Sequence, residues 1–233
     1  MARLEQLFVG CPFQSRVRKN YDRLKAELEA ETPLRVVLAD TASITSTDDL
    51  LEHIAALIRD SAACLFDATG ANPNVSLEVG IAHALPTDFL LTISTRRPHP
   101  SSRTRKAVRP ASDRLRPIPS GMRSAIISDL QGRNRIEYKT YRSLKDQVLR
   151  RYLAGLPYLK RWHEFEKNHK SYAPLALPLL HEIRSSGRTT RTRLDAILSA
   201  SGISATALTR ALTRHRLVTL RGGRDGGYFY PSK

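Results

Sequence analysis

Cysteine is almost missing from these 233 residues: Cys11 and Cys64 are the only two. That is too few for a disulfide framework, and no Cys/His cluster has the spacing of a zinc site. Neither a metal nor a cofactor is expected. Long apolar runs are missing as well. None approaches the roughly 18 uninterrupted apolar residues that a membrane span needs, and MARLEQLFVGCPFQ has no basic region followed by an apolar signal core. The expectation is a cytoplasmic chain without membrane contact. Aromatic residues are sparse at 6%, but 41% of the chain is apolar, so a packed core is available and wholesale disorder is excluded. The length suits one large or two small domains.

Acidic residues are scarce in one part of the chain only. Residues 1–94 hold 8 Lys+Arg and 13 Asp+Glu, a net of −5, whereas residues 95–233 hold 30 and 9, a net of +21. Such asymmetry points to a polyanion as the partner of the later part, with nucleic acid the first candidate. Arginine outnumbers lysine 29 to 9, so a compositional habit with a solvated basic face is the plainer alternative.

Strand and helix patterns alternate in the first part. Leu7 to Gly10 is a short apolar strand, and Val17, Tyr21, Leu24 and Leu28 then recur at helical spacing. Leu34 to Leu38 forms a second strand ending near Asp40. Ser46 or Thr47 starts the next helix, with Leu50, Leu51, Ile54, Leu57 and Ile58 inward. Ala63 to Phe66, a helix over 74–85, and Phe89 to Ile93 follow. Strands alternating with helices imply right-handed crossovers and a parallel sheet covered on both faces. From 95 to about 123 the pattern fails in a basic stretch rich in Pro, Ser and Arg, which reads as a loop or an arm ordered on binding. Arg135 to Lys139 is a last strand, and a helix runs from Tyr141 to Leu153.

Residues 154–172 read as a connector, in which Leu156, Tyr158, Leu159, Trp162 and Phe165 are available for docking. The last segment changes grammar. Three helices over 175–185, 190–200 and 204–215 precede Leu217 to Leu220, a Gly-rich turn, and Tyr228 to Tyr230. That order resembles a winged helix. Ser204 is placed to cap its third helix, and Leu208 and Leu212 would pack inward. Thr206, Arg210, Thr213 and Arg214 would then face outward, suited to phosphates and base edges in a major groove, with Arg221 and Arg224 on the wing. Winged helices also serve as protein-docking or dimerisation modules, so a protein partner stays open.

The chemistry is concentrated between Phe66 and Leu85. Asp67 ends a predicted parallel strand, where open α/β sheets gather their ligands. Gly70 and Asn72-Pro73 turn the chain, Asn74 suits a helix cap, and Glu78 falls about one turn into the helix. Gly80, Ala82 and Ala84 are small enough to let the helix approach the sheet. The positive helix end favours an ionised, nucleophilic Glu78. The plainer readings are a surface helix glutamate for Glu78 and a turn-capping aspartate for Asp67. Cys11 reads as an inert thiol, since no His lies at a readable distance, and Phe13 as either a stacking or a core aromatic.

The run DxTGxNPNVxxExGxAxAL from Asp67 to Leu85 resembles nucleoside 2-deoxyribosyltransferases and their TIR-like relatives that cleave N-glycosidic bonds. Phe8-Val-Gly-Cys-Pro-Phe13 is similar to that family's first strand and substrate loop, and the resemblance covers roughly residues 5–153. It implies a flavodoxin-like parallel-sheet domain over 1–153 carrying the basic insertion at about 95–123, ahead of the connector and a small winged-helix domain over 173–233. It further implies that Glu78 attacks or stabilises the anomeric carbon and that Asp67 assists. A substrate-binding set of Gly10, Phe13, Asp40, Asn72 and Asn74 follows. An oriented carboxylate suits the reaction, because breaking an N-glycosidic bond builds positive charge on C1′ and the ring oxygen. The basic 95–123 segment replaces a simple strand–helix link and the remaining substrate-binding residues of the transferases have no clear match, so hydrolysis or simple binding is expected rather than base exchange. A nucleotide, nucleoside or NAD-like molecule is the expected substrate. Pairing such a domain with a winged helix resembles the effector proteins of some bacterial retron anti-phage systems, which implies DNA or RNA–DNA contact through residues 95–233 and a defence role. The competing expectation is a non-catalytic, nucleotide-sensing DNA-binding regulator, and the blandest is an interaction scaffold.

Overall fold

The computed structural model describes residues 3–13, 15–39, 47–70, 72–95, 135–199, 201–222, 227–229 and 231. The basic stretch expected between 95 and 123 lies outside these residues from Arg96 onward, as do Asp40 and Arg224.

The chain runs β1 (Arg3–Gly10), α1 (Ser15–Glu31), β2 (Arg35–Leu38), α2 (Thr47–Arg59), β3 (Ser61–Asp67), α3 (Pro73–Ala84), β4 (Phe89–Ser94) and β5 (Arg135–Tyr138). These five strands form one parallel sheet in the order β2-β1-β3-β4-β5. That is the flavodoxin-like order, with the strand sequence reversing between β1 and β3. Side chains alternate across it, as the period of two requires. Leu7, Val9, Leu65 and Leu90 enter one apolar cluster, while Phe8, Cys64, Phe66 and Leu91 enter the other. Both faces are therefore buried, which is why these strands read as nearly continuous apolar runs. Ile54 and Ile58 of α2 and Val75, Val79 and Ala82 of α3 cover the Phe8 face.

The opposite face carries a larger load. Tyr21, Leu24 and Leu28 of α1 pack there, joined by α4 (Tyr141–Gln147), whose predicted single helix instead passes into a π turn (Val148–Tyr152) and a 3-10 turn (Leu153–Gly155). The expected connector is largely a helix, α5 (Pro157–Asn168), with Tyr158, Leu159, Trp162 and Phe165 buried. Next come α6 (Ala173–Ser186), α7 (Arg191–Leu198), α8 (Ala205–Arg214) and an antiparallel hairpin of β6 (Thr219–Arg221) and β7 (Gly227–Phe229). Thr189 bridges to Tyr228 as a third short pairing, and a Cβ on Gly227 would sit 2.7 Å from the Thr189 carbonyl oxygen. Leu194, Leu208, Leu212 and Leu217 belong to the same cluster as Leu7 and Val9. Two further ties cross over: Arg184 Nη1 donates to the Leu34 carbonyl at 2.8 Å, and Tyr158 OH donates to that of Leu217 at 3.0 Å.

Candidate active site

Two strand ends and one helix build the site. β1 finishes at Gly10, β3 finishes at Asp67, and α3 begins just beyond. The α3 cap differs from the expected Asn74. It is Asn72, whose side-chain oxygen accepts from the amides of Asn74 at 3.0 Å and Val75 at 3.3 Å. Pro73 then takes the first helical position, where a missing N–H costs nothing. This start places Glu78 in the second turn, on the face that also buries Val75, Val79 and Ala82.

Glu78 is only 4% exposed, which removes the surface-glutamate reading. Its Oε2 has no hydrogen-bond partner among the described residues. Gly10 explains how the carboxylate fits: a Cβ there would lie 2.0 Å from Glu78 Oε2 and 2.6 Å from the Phe66 ring. Of the small residues Gly80, Ala82 and Ala84, Ala82 is buried against the sheet as expected, and the room for the carboxylate comes from the strand's Gly10. Gly80 and Ala84 face outward, and a Cβ on Gly80 would meet nothing within 4 Å. The expectation of a firmly ionised Glu78 is corrected too. Desolvation pushes its carboxyl from 4.5 up to about 7, because no cation or donor among the described residues offsets the loss of water.

Asp67 is fully buried and internally satisfied. Its Oδ1 accepts from the Thr69 amide at 2.8 Å, and its Oδ2 accepts from Tyr138 OH at 3.2 Å. Beside it, Tyr21 OH and Thr92 Oγ1 lie 2.9 Å apart, and Thr92 Oγ1 donates to the Phe66 carbonyl at 3.2 Å. Burial first, and then the Asp67 charge, lifts the Tyr138 hydroxyl to about 12, so it remains a donor. These partners were missed in the sequence. Tyr138 and Asp67 are 71 positions apart, and nothing local marks the pair.

Cys11 is buried, and desolvation raises its thiol to about 12, with the Asp67 and Glu78 charges adding to the rise. A thiol raised in this way disfavours the reactive thiolate. Phe13, 46% exposed, follows β1 and offers an open ring. Asn72 is committed to capping, whereas Asn74 is exposed. His83 sits on the outer flank of α3, edge-on to Phe89.

A second surface lies on α8. Thr206, Arg210, Thr213 and Arg214 line one open groove of about 500 Å³, together with Arg191 and Tyr228. Arg191 donates to the Thr206 hydroxyl, and Leu208 and Leu212 point away into the core. Ser204 occupies the cap position, but its side chain makes no capping bond. Arg221 is not brought into this groove: its guanidinium lies 4.8 Å from the Phe229 ring centre and lines a different cleft. Among the described residues, no cluster of three or more His, Cys, Asp or Glu is placed to hold a metal ion. No helix among them is long and apolar enough to cross a membrane.

The sheet order and the site at its carboxyl edge define an α/β protein of flavodoxin-like topology. No family model matches the chain, and no curated protein does. Among solved structures, it is similar to a 2-desoxiribosyltransferase from Leishmania mexicana at 16% identity and a TM-score of 0.36, covering 40% of this chain and 67% of that one.

Proposed function

We propose that the protein hydrolyses the N-glycosidic bond of a nucleotide, nucleoside or NAD-like substrate, with Glu78 as the group at the anomeric carbon. The observation that carries this reading is the buried, unpartnered Glu78 oxygen at the carboxyl edge of a parallel sheet. A desolvated carboxylate is weakly held by its own surroundings, so positive charge developing on C1′ is its strongest available partner. Attack by Glu78 would form a glycosyl–enzyme and release the base, and water would then free the sugar. Asp67, held by Thr69 and Tyr138, positions the strand end, and Gly10 leaves the room that Glu78 needs. Phe13 is free to stack on the base. The carboxylate form is required, so activity rises with pH through about 7.

The helix-helix-helix-hairpin order of the last segment, with Thr189 pairing to Tyr228, supports a winged helix. Its α8 groove of outward arginines and threonines suits nucleic-acid phosphates and base edges. In this reading the basic part localises or restrains the hydrolase, in keeping with a defence effector.

Incubating wild type and Glu78→Gln with NAD and a mixture of ribo- and deoxynucleotides, followed by mass spectrometry for free base, tests the assignment. Release by wild type alone is expected. Equal release by both removes Glu78 from the mechanism. Release by neither, with duplex affinity that responds to a nucleotide, would favour the DNA-binding regulator.

A further inference from the structure

At the opposite edge of the sheet from Glu78, the chain forms a cleft of about 410 Å³. β1 runs from Arg3 to Gly10, so at roughly 3.3 Å per residue the two ends stand more than about 20 Å apart. The cleft lies where the amino-terminal ends of β1 and β2 meet the end of α6 and the hairpin. Four arginines line it: Arg3, Arg35, Arg184 and Arg221. Arg184 spends Nη1 on the Glu29 and Leu34 carbonyls, which fixes its direction. Arg221 stacks on Phe229, which leaves its in-plane donors for a ligand. Arg3 and Arg35 make no close ion pair among the described residues.

Two carboxyls also line the cleft, those of Glu5 and Asp60. Glu5 does little to cancel the arginines. It is 4% exposed, its Oε2 has no partner among the described residues, and burial raises its carboxyl toward the neutral form despite the pull of Arg3 and Arg35. Four guanidiniums set against Asp60 and a Glu5 driven toward its neutral form leave the lining net positive, and the partly exposed Phe229 supplies an apolar wall. Guanidinium groups from four separate elements suit an anion with several oxygens, since each presents a planar fork of donors. The volume falls within the range of small-molecule sites, and the apolar wall suits a flat ring attached to that anion.

We propose that this cleft binds a nucleoside polyphosphate, with its phosphates on the arginines and its base beside Phe229. The site is separate from the proposed glycosidase centre and does not depend on that activity. Its walls come from the sheet, α6 and the terminal hairpin, so the ligand ties the first and last segments of the chain together.

Calorimetric titration of the full chain with ATP and GTP, alongside inorganic triphosphate, tests this. At least one nucleotide should bind well ahead of triphosphate. Arg35→Ala and Arg221→Ala should each weaken it by about tenfold or more, with thermal unfolding confirming that both variants fold. Lys160→Ala, exposed on α5 and outside the cleft, should bind as wild type. The proposal is overturned if neither nucleotide binds at millimolar concentration or if triphosphate alone binds as tightly. It is equally overturned if affinity survives both Arg35→Ala and Arg221→Ala.

Discussion

At Glu78 burial and charge oppose one another, and the balance makes the residue titrate near neutrality. The folded state raises its carboxyl from 4.5 to about 7, so between those values the folded protein holds a proton that the unfolded chain has released. Stability from this group is therefore lost as pH rises through that window, and the loss is constant above it. A gap of that size corresponds to at most on the order of 3 kcal/mol at pH 8. Glu78→Gln should melt higher than wild type at pH 8 and nearly level with it at pH 5. A matching pH dependence of Tm in both proteins would contradict the buried, unpartnered carboxylate. The same substitution should abolish base release, which separates a catalytic loss from a folding loss.

Gly10 is the residue that makes room. An alanine there would place its Cβ 2.0 Å from Glu78 Oε2 and 2.6 Å from Phe66, so the carboxylate must leave its seat. Overpacking of this kind costs about 1–3 kcal/mol. Gly10→Ala is expected to lower Tm and eliminate cleavage, and unchanged turnover would show that the carboxylate need not sit above β1.

Elements differ in how openly they declare themselves. β1, β3 and β4 are apolar runs bounded by turns, and their alternation to two faces follows from backbone geometry alone. α3 was legible as a helix, but its cap was not. Asn72 and Asn74 are both good capping residues, and Pro73 decided between them by taking the first helical position. α8 was legible because Leu208 and Leu212 fix its inner face, which leaves Arg210 and Arg214 outside. If the groove holds phosphates, binding of duplex should weaken with salt through counterion release. Arg210→Ala and Arg214→Ala should each reduce the slope of log affinity against log salt by about 1. A titration in which both variants keep the wild-type slope would place the basic contact elsewhere.

For the whole molecule, the continuity of one apolar cluster matters most. It runs from Leu7 and Val9 in the sheet through Trp162 and Phe165 of α5 to Leu208 and Leu212 of α8. Trp162 is the chain's one tryptophan, so its fluorescence reports on the middle of this core. Its unfolding midpoint in denaturant should coincide with that of far-UV circular dichroism, as a cooperative transition requires. Separated midpoints would mean that the sheet and the last three helices unfold independently.

The alternation of strands and helices, the charge split, the DxTGxNPNV run and the outward face of α8 are written in short-range pattern, because backbone periodicity and side-chain type act over a few residues. Local sequence does not carry desolvation or the pairing of distant groups. Whether Glu78 is wet or dry depends on Gly10 and Phe66, and whether Asp67 is free or held depends on Tyr138. The arginine cleft exists only because positions 3, 35, 184 and 221 are brought together. Sequence determined which elements form and which faces they bury; tertiary structure alone decided which polar groups lose water and which charges meet, since both depend on contacts between residues far apart in the chain.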